Sequence, residues 1–242
     1  MKLDILAFGV HPDDIELGCS GTIIAAIAEG KKVGIIDLTQ GELGTRGSVE
    51  TRFKEAADAA VIMGVSVREN LKMADGFFQN NEAHQRLVIA AIIKYQPEII
   101  LCNAPEDRHP DHGRSAKLVT DAAFLSGLRK IIIDDNGVNQ EAWRPKYIFH
   151  YIQDRFMQPS FVIDITAHHD KKIEAILAYK TQFNSSGTDE PQTYISSPQF
   201  LDTVKARALM LGKRIGVQYA EGFISEKVLG ISSFDAFIQN VT

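Results

Sequence analysis

Two short stretches hold the residues best suited to chemistry: His11-Pro12-Asp13-Asp14 and His109-Pro110-Asp111-His112. They are near-copies of one tetrapeptide, and each contains a proline that stiffens the turn. A lone His-Pro-Asp is an ordinary turn whose side chains cap a helix or face water. Two copies, each downstream of an apolar run that reads as a buried strand, are harder to explain that way. His11, Asp14 and His112 would supply two imidazoles and a carboxylate and leave a fourth position to water. That is the open donor set of a catalytic zinc, and iron(II) accepts it as well. Such an ion lowers the pKa of its water to about 7. Asp13, beside a ligand but outside the donor set, is then free to act as general base. His109 is the second proton-handling group: charged, it can stabilise an oxyanion and protonate a departing amine. Asp111 is placed in sequence to orient His109 or another active-site histidine.

Residues so far apart in sequence need a frame that brings them together. Leu3–Val10 is apolar nearly throughout, as a strand covered on both faces of a parallel sheet should be. Val33–Thr39, a short stretch near Leu71–Met73, Glu98–Cys102, Tyr147–Ile152 and Phe161–Ile165 read as further strands. Helical patterns occupy Gly21–Glu29, Val49–Met63, Glu82–Tyr95, Gly113–Ser126, His168–Gln182 and Phe200–Ile215. This alternation predicts an α/β fold: a doubly wound, mainly parallel sheet with helices on both faces and right-handed crossovers. Ligands of such sheets bind beyond the carboxyl ends of the strands, where both histidine loops fall. Residues 1–242 read as one domain, in which the part from about 145 onward completes the sheet. That part also supplies a candidate lid, Gly187–Pro198, rich in Thr, Ser, Pro and Gly.

Composition narrows the class. An apolar fraction of 45% and a charged fraction of 24% suit an ordinary globular chain. A net charge of −5 argues against a nucleic-acid surface. No apolar run approaches the roughly 20 residues that span a bilayer. Met1-Lys2-Leu3-Asp4 runs into a strand pattern without a signal-peptide core. The expected location is cytoplasmic, with the sequon Asn184-Ser185-Ser186 idle. Cys19 and Cys102 cannot form a disulfide framework, and both read as structural.

Weaker signals surround the two loops. Gly18-Cys19-Ser20-Gly21-Thr22 could cradle an anion at a helix N-terminus, although plain helix-start packing is the better reading without a full phosphate-loop pattern. Arg52 could face a substrate carboxylate or be a solvated helix charge. Asp75, before Gly76, could accept from a sugar hydroxyl, but such a residue more often shapes a turn. Tyr194 in the lid could reach the site or pack. His150 reads as a satisfied core residue, His84 as a surface one, and His168 and His169 as structural or surface.

With Glu16 and Gly18 following the first motif, the paired tetrapeptides resemble the LmbE-like, or PIG-L, deacetylases, over almost the whole chain. The resemblance implies a Rossmann-like fold, His11, Asp14 and His112 as zinc ligands, and Asp13 as base. It further implies His109 as charged acid or oxyanion partner, with Asp111 supporting a histidine. Arg52, Asp75 and Tyr194 match substrate-site positions. It also implies a homo-oligomer, often a hexamer. His11–Thr22, Gly41-Glu42-Leu43-Gly44-Thr45-Arg46-Gly47, Glu50-Thr51-Arg52 and Tyr219-Ala220-Glu221-Gly222-Phe223 resemble members that deacetylate N-acetylglucosaminyl malate in bacillithiol biosynthesis. Other expectations are deacetylation of a chitobiose-like sugar, amide cleavage of a thiol-sugar S-conjugate, a non-catalytic metal site, and a nucleotide-binding protein. The last lacks its glycine fingerprint.

Overall fold

The computed structural model describes residues 1–135, 138–183 and 189–237. The sequon and Gly187, at the start of the candidate lid, lie outside them. In chain order the strands are β1 (Ile5–Gly9), β2 (Val33–Thr39), β3 (Val67–Met73), β4 (Ile99–Cys102), β5 (Asp134–Asp135), β6 (Val138–Asn139), β7 (Tyr147–Tyr151), β8 (Phe161–Asp164) and β9 (Ala220–Ser225). The helices are α1 (Asp14–Ala28), α2 (Val49–Met63), α3 (Glu82–Tyr95), α4 (Pro110–Leu125), α5 (His169–Leu177), α6 (Lys180–Phe183) and α7 (Pro198–Lys213).

Seven strands form one sheet in the order β3-β2-β1-β4-β7-β9-β8. The first five run parallel, whereas β9 runs antiparallel to both β7 and β8. This is the doubly wound, mainly parallel sheet expected. The alternation along β1 shows why it must be covered twice. Leu6 and Phe8 join the core under α3 and α4, and Ile5 and Ala7 join the core against α1. Burying such side chains contributes about 1.5–3 kcal/mol each.

Three differences from the sequence reading matter for the site. α1 starts at Asp14 rather than Gly21, with a kink at Cys19 (φ −149°, ψ 15°). α4 starts at Pro110 rather than Gly113, because proline fits the first helical position, where no amide hydrogen is needed. Both histidine motifs are therefore helix starts. β9 was not legible as a strand, since Glu221 and Gly222 interrupt its apolar pattern.

The kink explains the glycine-rich stretch at Gly18–Thr22. Gly21 N and Thr22 N donate to the Glu221 carboxylate at 3.0 and 2.7 Å, and the Thr22 hydroxyl adds a third bond at 2.7 Å. The amides that follow the kink do cradle an anion, but that anion is the protein's own. Lys172 Nζ completes the buried cluster, 2.6 Å from Glu221 Oε1. A Cβ at Gly18 would lie 2.2 Å from the Tyr151 ring, so the glycine permits this packing.

Candidate active site

β1 pairs with β2 on one side and β4 on the other, so its neighbours are wound in opposite directions and a crevice opens beyond Gly9 and Cys102. The two histidine motifs meet in that crevice. Ring centroids are 5.8 Å apart for His11 and His112, 4.7 Å for His11 and His109, and 5.5 Å for His109 and His112.

Asp14 bridges two of these rings. One carboxylate oxygen is 3.2 Å from His112 Nε2 and the other is 3.7 Å from His11 Nδ1. Asp14 also accepts from the Val10 and His11 amides at 3.0 and 3.1 Å, from Asn103 Nδ2 at 3.0 Å and from Gln153 Nε2 at 2.8 Å. The opposite nitrogen of each histidine is also engaged. His11 Nε2 lies 3.0 Å from Asp75 Oδ1, and His112 Nδ1 lies 2.7 Å from Asp107 Oδ2. The two rings thus turn different nitrogens, Nδ1 of His11 and Nε2 of His112, toward the Asp14 carboxylate, each oriented by a carboxylate behind it.

His109 differs. As N-cap of α4, its Nδ1 accepts from the Asp111 amide at 3.3 Å. In the neutral ring this leaves the proton on Nε2, so the side chain faces the crevice as a donor. Asp111 is fully buried and takes Arg114 Nη1 at 2.6 Å and the Gly76 amide at 2.9 Å. Its nearest histidine is His11, at 4.0 Å. The carboxylates in direct contact with imidazoles are therefore Asp75, Asp107 and Asp14.

Asp13 is backed by strain. It sits at φ 125°, a region that costs a non-glycine residue about 1–3 kcal/mol. An aspartate at an N-cap ordinarily accepts from the following amides, but this one makes no such bond. Its Oδ2 instead meets Arg52 Nη2 at 2.9 Å, and the same nitrogen donates to the Pro12 carbonyl at 2.5 Å. Arg52 is thus a buried partner of Asp13 as well as part of the cleft wall. Gly41 (φ +65°) leaves it room: a Cβ there would lie 2.6 Å from Arg52 Nη1.

The electrostatics follow from this crowding. Burial raises the Asp13 carboxyl to about 7, with the Arg52 charge holding it back from going higher. Burial acts in the same sense on Asp14, but the His112 charge and hydrogen bonds from both rings outweigh it and hold Asp14 well below the usual carboxylate range. Burial opposes charge on His11 and His112, yet the surrounding carboxylates win, raising His11 to about 9 and His112 to about 10. His109 is lowered, by burial first and then by the charges of His11 and His112.

These donors fit a divalent cation. Asp13, Asp14, Asp75, Asp107 and Asp111, all buried, surround three imidazoles in a pocket that favours positive charge. Among the described residues, single ligand atoms of His11, His109 and His112 lie within 4.8 Å of one another, as do those of His11, Asp75 and Asp111. Asp14 serves its two histidines with different oxygens.

The cleft measures about 280 Å³, and its wall includes Leu43, Thr45, Arg52, Asp75, Arg108, Gln182 and Tyr194. Asp75 spends Oδ1 on His11 and Oδ2 on the Leu43 amide, so it orients a histidine in addition to lining the cleft. Tyr194, half exposed, donates to Asp154 at 3.0 Å and lies 4.4 Å beneath the Arg108 guanidinium. Cys19 and Cys102 are buried with thiols pushed up by desolvation, in keeping with structural roles. His150 is only partly satisfied: Nδ1 meets the Asn103 carbonyl at 2.8 Å, but buried Nε2 has no hydrogen bond. His169 is buried and stacked 3.7 Å from Tyr219.

The sequence reading missed Asn103, Asp107 and Gln153. Asp107 was findable in principle, as an acid in the loop that leads into α4 and His112. Gln153 was not, because it reaches Asp14 only through the pairing of β7 with β4.

A doubly wound sheet with a His/Asp cluster of metal-ligating type at its switch point is the class of protein these features define. The family model for GlcNAc-PI de-N-acetylase (PIG-L) matches residues 6–123. The chain is 36% identical to the conserved protein TT1542 of Thermus thermophilus, covering 95% of this chain and 98% of that one at a TM-score of 0.84. It is 26% identical over 229 residues to the diacetylchitobiose deacetylase of Thermococcus kodakarensis, covering 90% of this chain and 81% of that protein. The N,N'-diacetylchitobiose deacetylase of Pyrococcus horikoshii shares the fold, with a TM-score of 0.79 at 24% identity and coverage of 91% and 82%. The chain belongs to the PIG-L/LmbE-like deacetylase family.

Proposed function

We propose that the protein is a zinc-dependent hydrolase that removes the N-acetyl group of N-acetylglucosaminyl malate in bacillithiol biosynthesis. The observation that carries the hydrolase reading is the approach of His11 Nδ1 and His112 Nε2 to the two oxygens of Asp14, with Asp13 adjacent and outside the set. His11, Asp14 and His112 would hold the ion, and iron(II) suits the same donors. When bound, the ion polarises the acetyl carbonyl and makes water acidic enough to attack it near neutral pH.

The chain's own groups handle the protons. Asp13, raised to about 7 by burial, is poised to take the proton of the attacking water. Nε2 of His109 donates to the developing oxyanion, and Asp13, carrying the proton it took from the water, passes it to the departing nitrogen. Arg52 fixes the Asp13 carboxylate, and its charge suits an anionic aglycone. Asp75 and Tyr194 border the space a sugar would occupy.

Deacetylation of a chitobiose-like sugar is the second reading, favoured by the diacetylchitobiose deacetylase of Thermococcus kodakarensis. Amine release from N-acetylglucosaminyl malate, N,N'-diacetylchitobiose and an acetylated thiol-sugar conjugate, each assayed with zinc, separates them. Faster turnover of the malate glycoside is expected; equal turnover of all three would remove that assignment. A cytoplasmic homo-oligomer belongs to the same proposal. Among the described residues no helix is long and apolar enough to cross a membrane.

A further inference from the structure

Arg46 has a side chain that is 1% exposed. Its guanidinium spans two segments. Nε donates to the Thr181 carbonyl at 2.7 Å, while Nη1 donates to the carbonyls of Pro191 at 3.0 Å and Glu190 at 3.3 Å. Nη2 lies 3.6 Å from Glu190 Oε2, and Glu190 Oε1 accepts from the Gly47 amide at 2.8 Å. The backbone around the arginine is engaged too: the Arg46 carbonyl accepts from Gln182 Nε2 at 2.9 Å. Gly47, at φ +73°, leaves no space for a side chain, since a Cβ would lie 2.8 Å from Thr181 Oγ1.

What these bonds hold in place is the cleft wall. Thr45, next to Arg46, lines the cleft, as do Gln182, Thr193, Tyr194 and Ile195. Thr193 and Ser196 close a compact turn through reciprocal bonds at 2.8 and 3.3 Å, so Tyr194 follows Glu190 and Pro191 as a unit. We infer that Arg46 is a positioning residue for substrate binding: a buried fork that clamps the Glu190–Ile195 segment to the Gly41–Gly47 loop and so sets the wall facing the catalytic groups. A planar guanidinium reaches several diverging carbonyls at once, whereas a lysine ammonium is a point charge on a flexible stem. The inference rests on the hydrolase reading of the same cleft.

The test compares Arg46→Lys and Glu190→Gln with the wild type, each loaded with zinc. Glu190 is partly exposed, so its variant keeps the experiment open if Arg46→Lys folds poorly. Expected is a rise in KM of about tenfold for Arg46→Lys and a smaller rise for Glu190→Gln. Zinc content should be unchanged, kcat should stay within about twofold, and amide exchange should quicken across 189–197 but not at α1 or α4. Unchanged KM and unchanged exchange at 189–197 in folded variants would overturn the assignment, as would a loss confined to kcat and zinc. Exchange needs no substrate, so a wild type inactive on all three compounds would refute the hydrolase reading while the clamp is still decided by exchange.

Discussion

In the first histidine motif the acid after proline, Asp13, is strained toward the cleft and paired with Arg52. In the second, the acid at the same place, Asp111, is fully buried and held by Arg114 and the Gly76 amide. The leading histidines diverge too: His11 is backed by Asp75 and offers Nδ1, whereas His109 uses Nδ1 to cap its own helix. Likeness of sequence therefore gave neither motif its role. The role of each side chain follows from where the helix begins and which nitrogen its neighbours leave free.

Substitutions at equivalent places should separate the two motifs, and the largest effect is expected at Asp13. Asp13→Asn should lower kcat by about 10²–10⁴-fold with metal content intact, measured by amine release alongside metal analysis. Asp111→Asn should leave metal and mechanism in place and instead lower thermal stability, because it weakens the pairing of a buried carboxylate with the partly exposed Arg114. If the two asparagine variants lost activity equally at equal metal content, the contrast would collapse. Next in size, His109→Ala should cost about 10²–10³ in kcat without loss of the ion. An ion lost with His109 would make it a ligand, and the two motifs would then be alike.

Smaller effects should come from the carboxylates behind the proposed ligands. Asp107→Ala and Asp75→Ala should each weaken metal binding by about 10–100-fold, read from a competition titration with a chromogenic chelator. If Asp111→Ala weakened it more than either, the orienting role would return to Asp111.

The smallest effects are those of pH. Asp13 must be ionised to act, so activity should rise through about pH 7. Replacing Arg52 with methionine removes the charge that holds that carboxyl down, and the rising limb should move to higher pH. A limb that stays put or moves down would remove the Asp13–Arg52 pairing from the account. The folded pKa values of His11 and His112, about 9 and about 10, lie above the ordinary 6.5. Their pairing with carboxylates thus stabilises the metal-free protein fully below about 6.5 and is lost as pH rises through 9 to 10. Thermal stability of the chelated protein should decline over that window. The zinc-loaded protein should not show the same decline, because the ion takes the place of the protons.

Much of this was legible in the chain itself. Unbroken apolar runs such as Leu3–Val10 define strands buried on two faces, and their alternation with helical stretches dictates a doubly wound parallel sheet, because only that arrangement covers them. The paired His-Pro-Asp motifs after two such strands marked the candidate ligands and a candidate base, since donor type and position beyond a strand are local properties. Tertiary structure alone decided the partners. That Asp75 backs His11, that Asp107 rather than Asp111 backs His112, and that Glu221 fills the glycine-rich helix start all depend on strand order and on where α1 and α4 begin. A hydrogen bond between residues far apart in sequence leaves no periodicity behind, so a sequence can name the donors but not whom they meet.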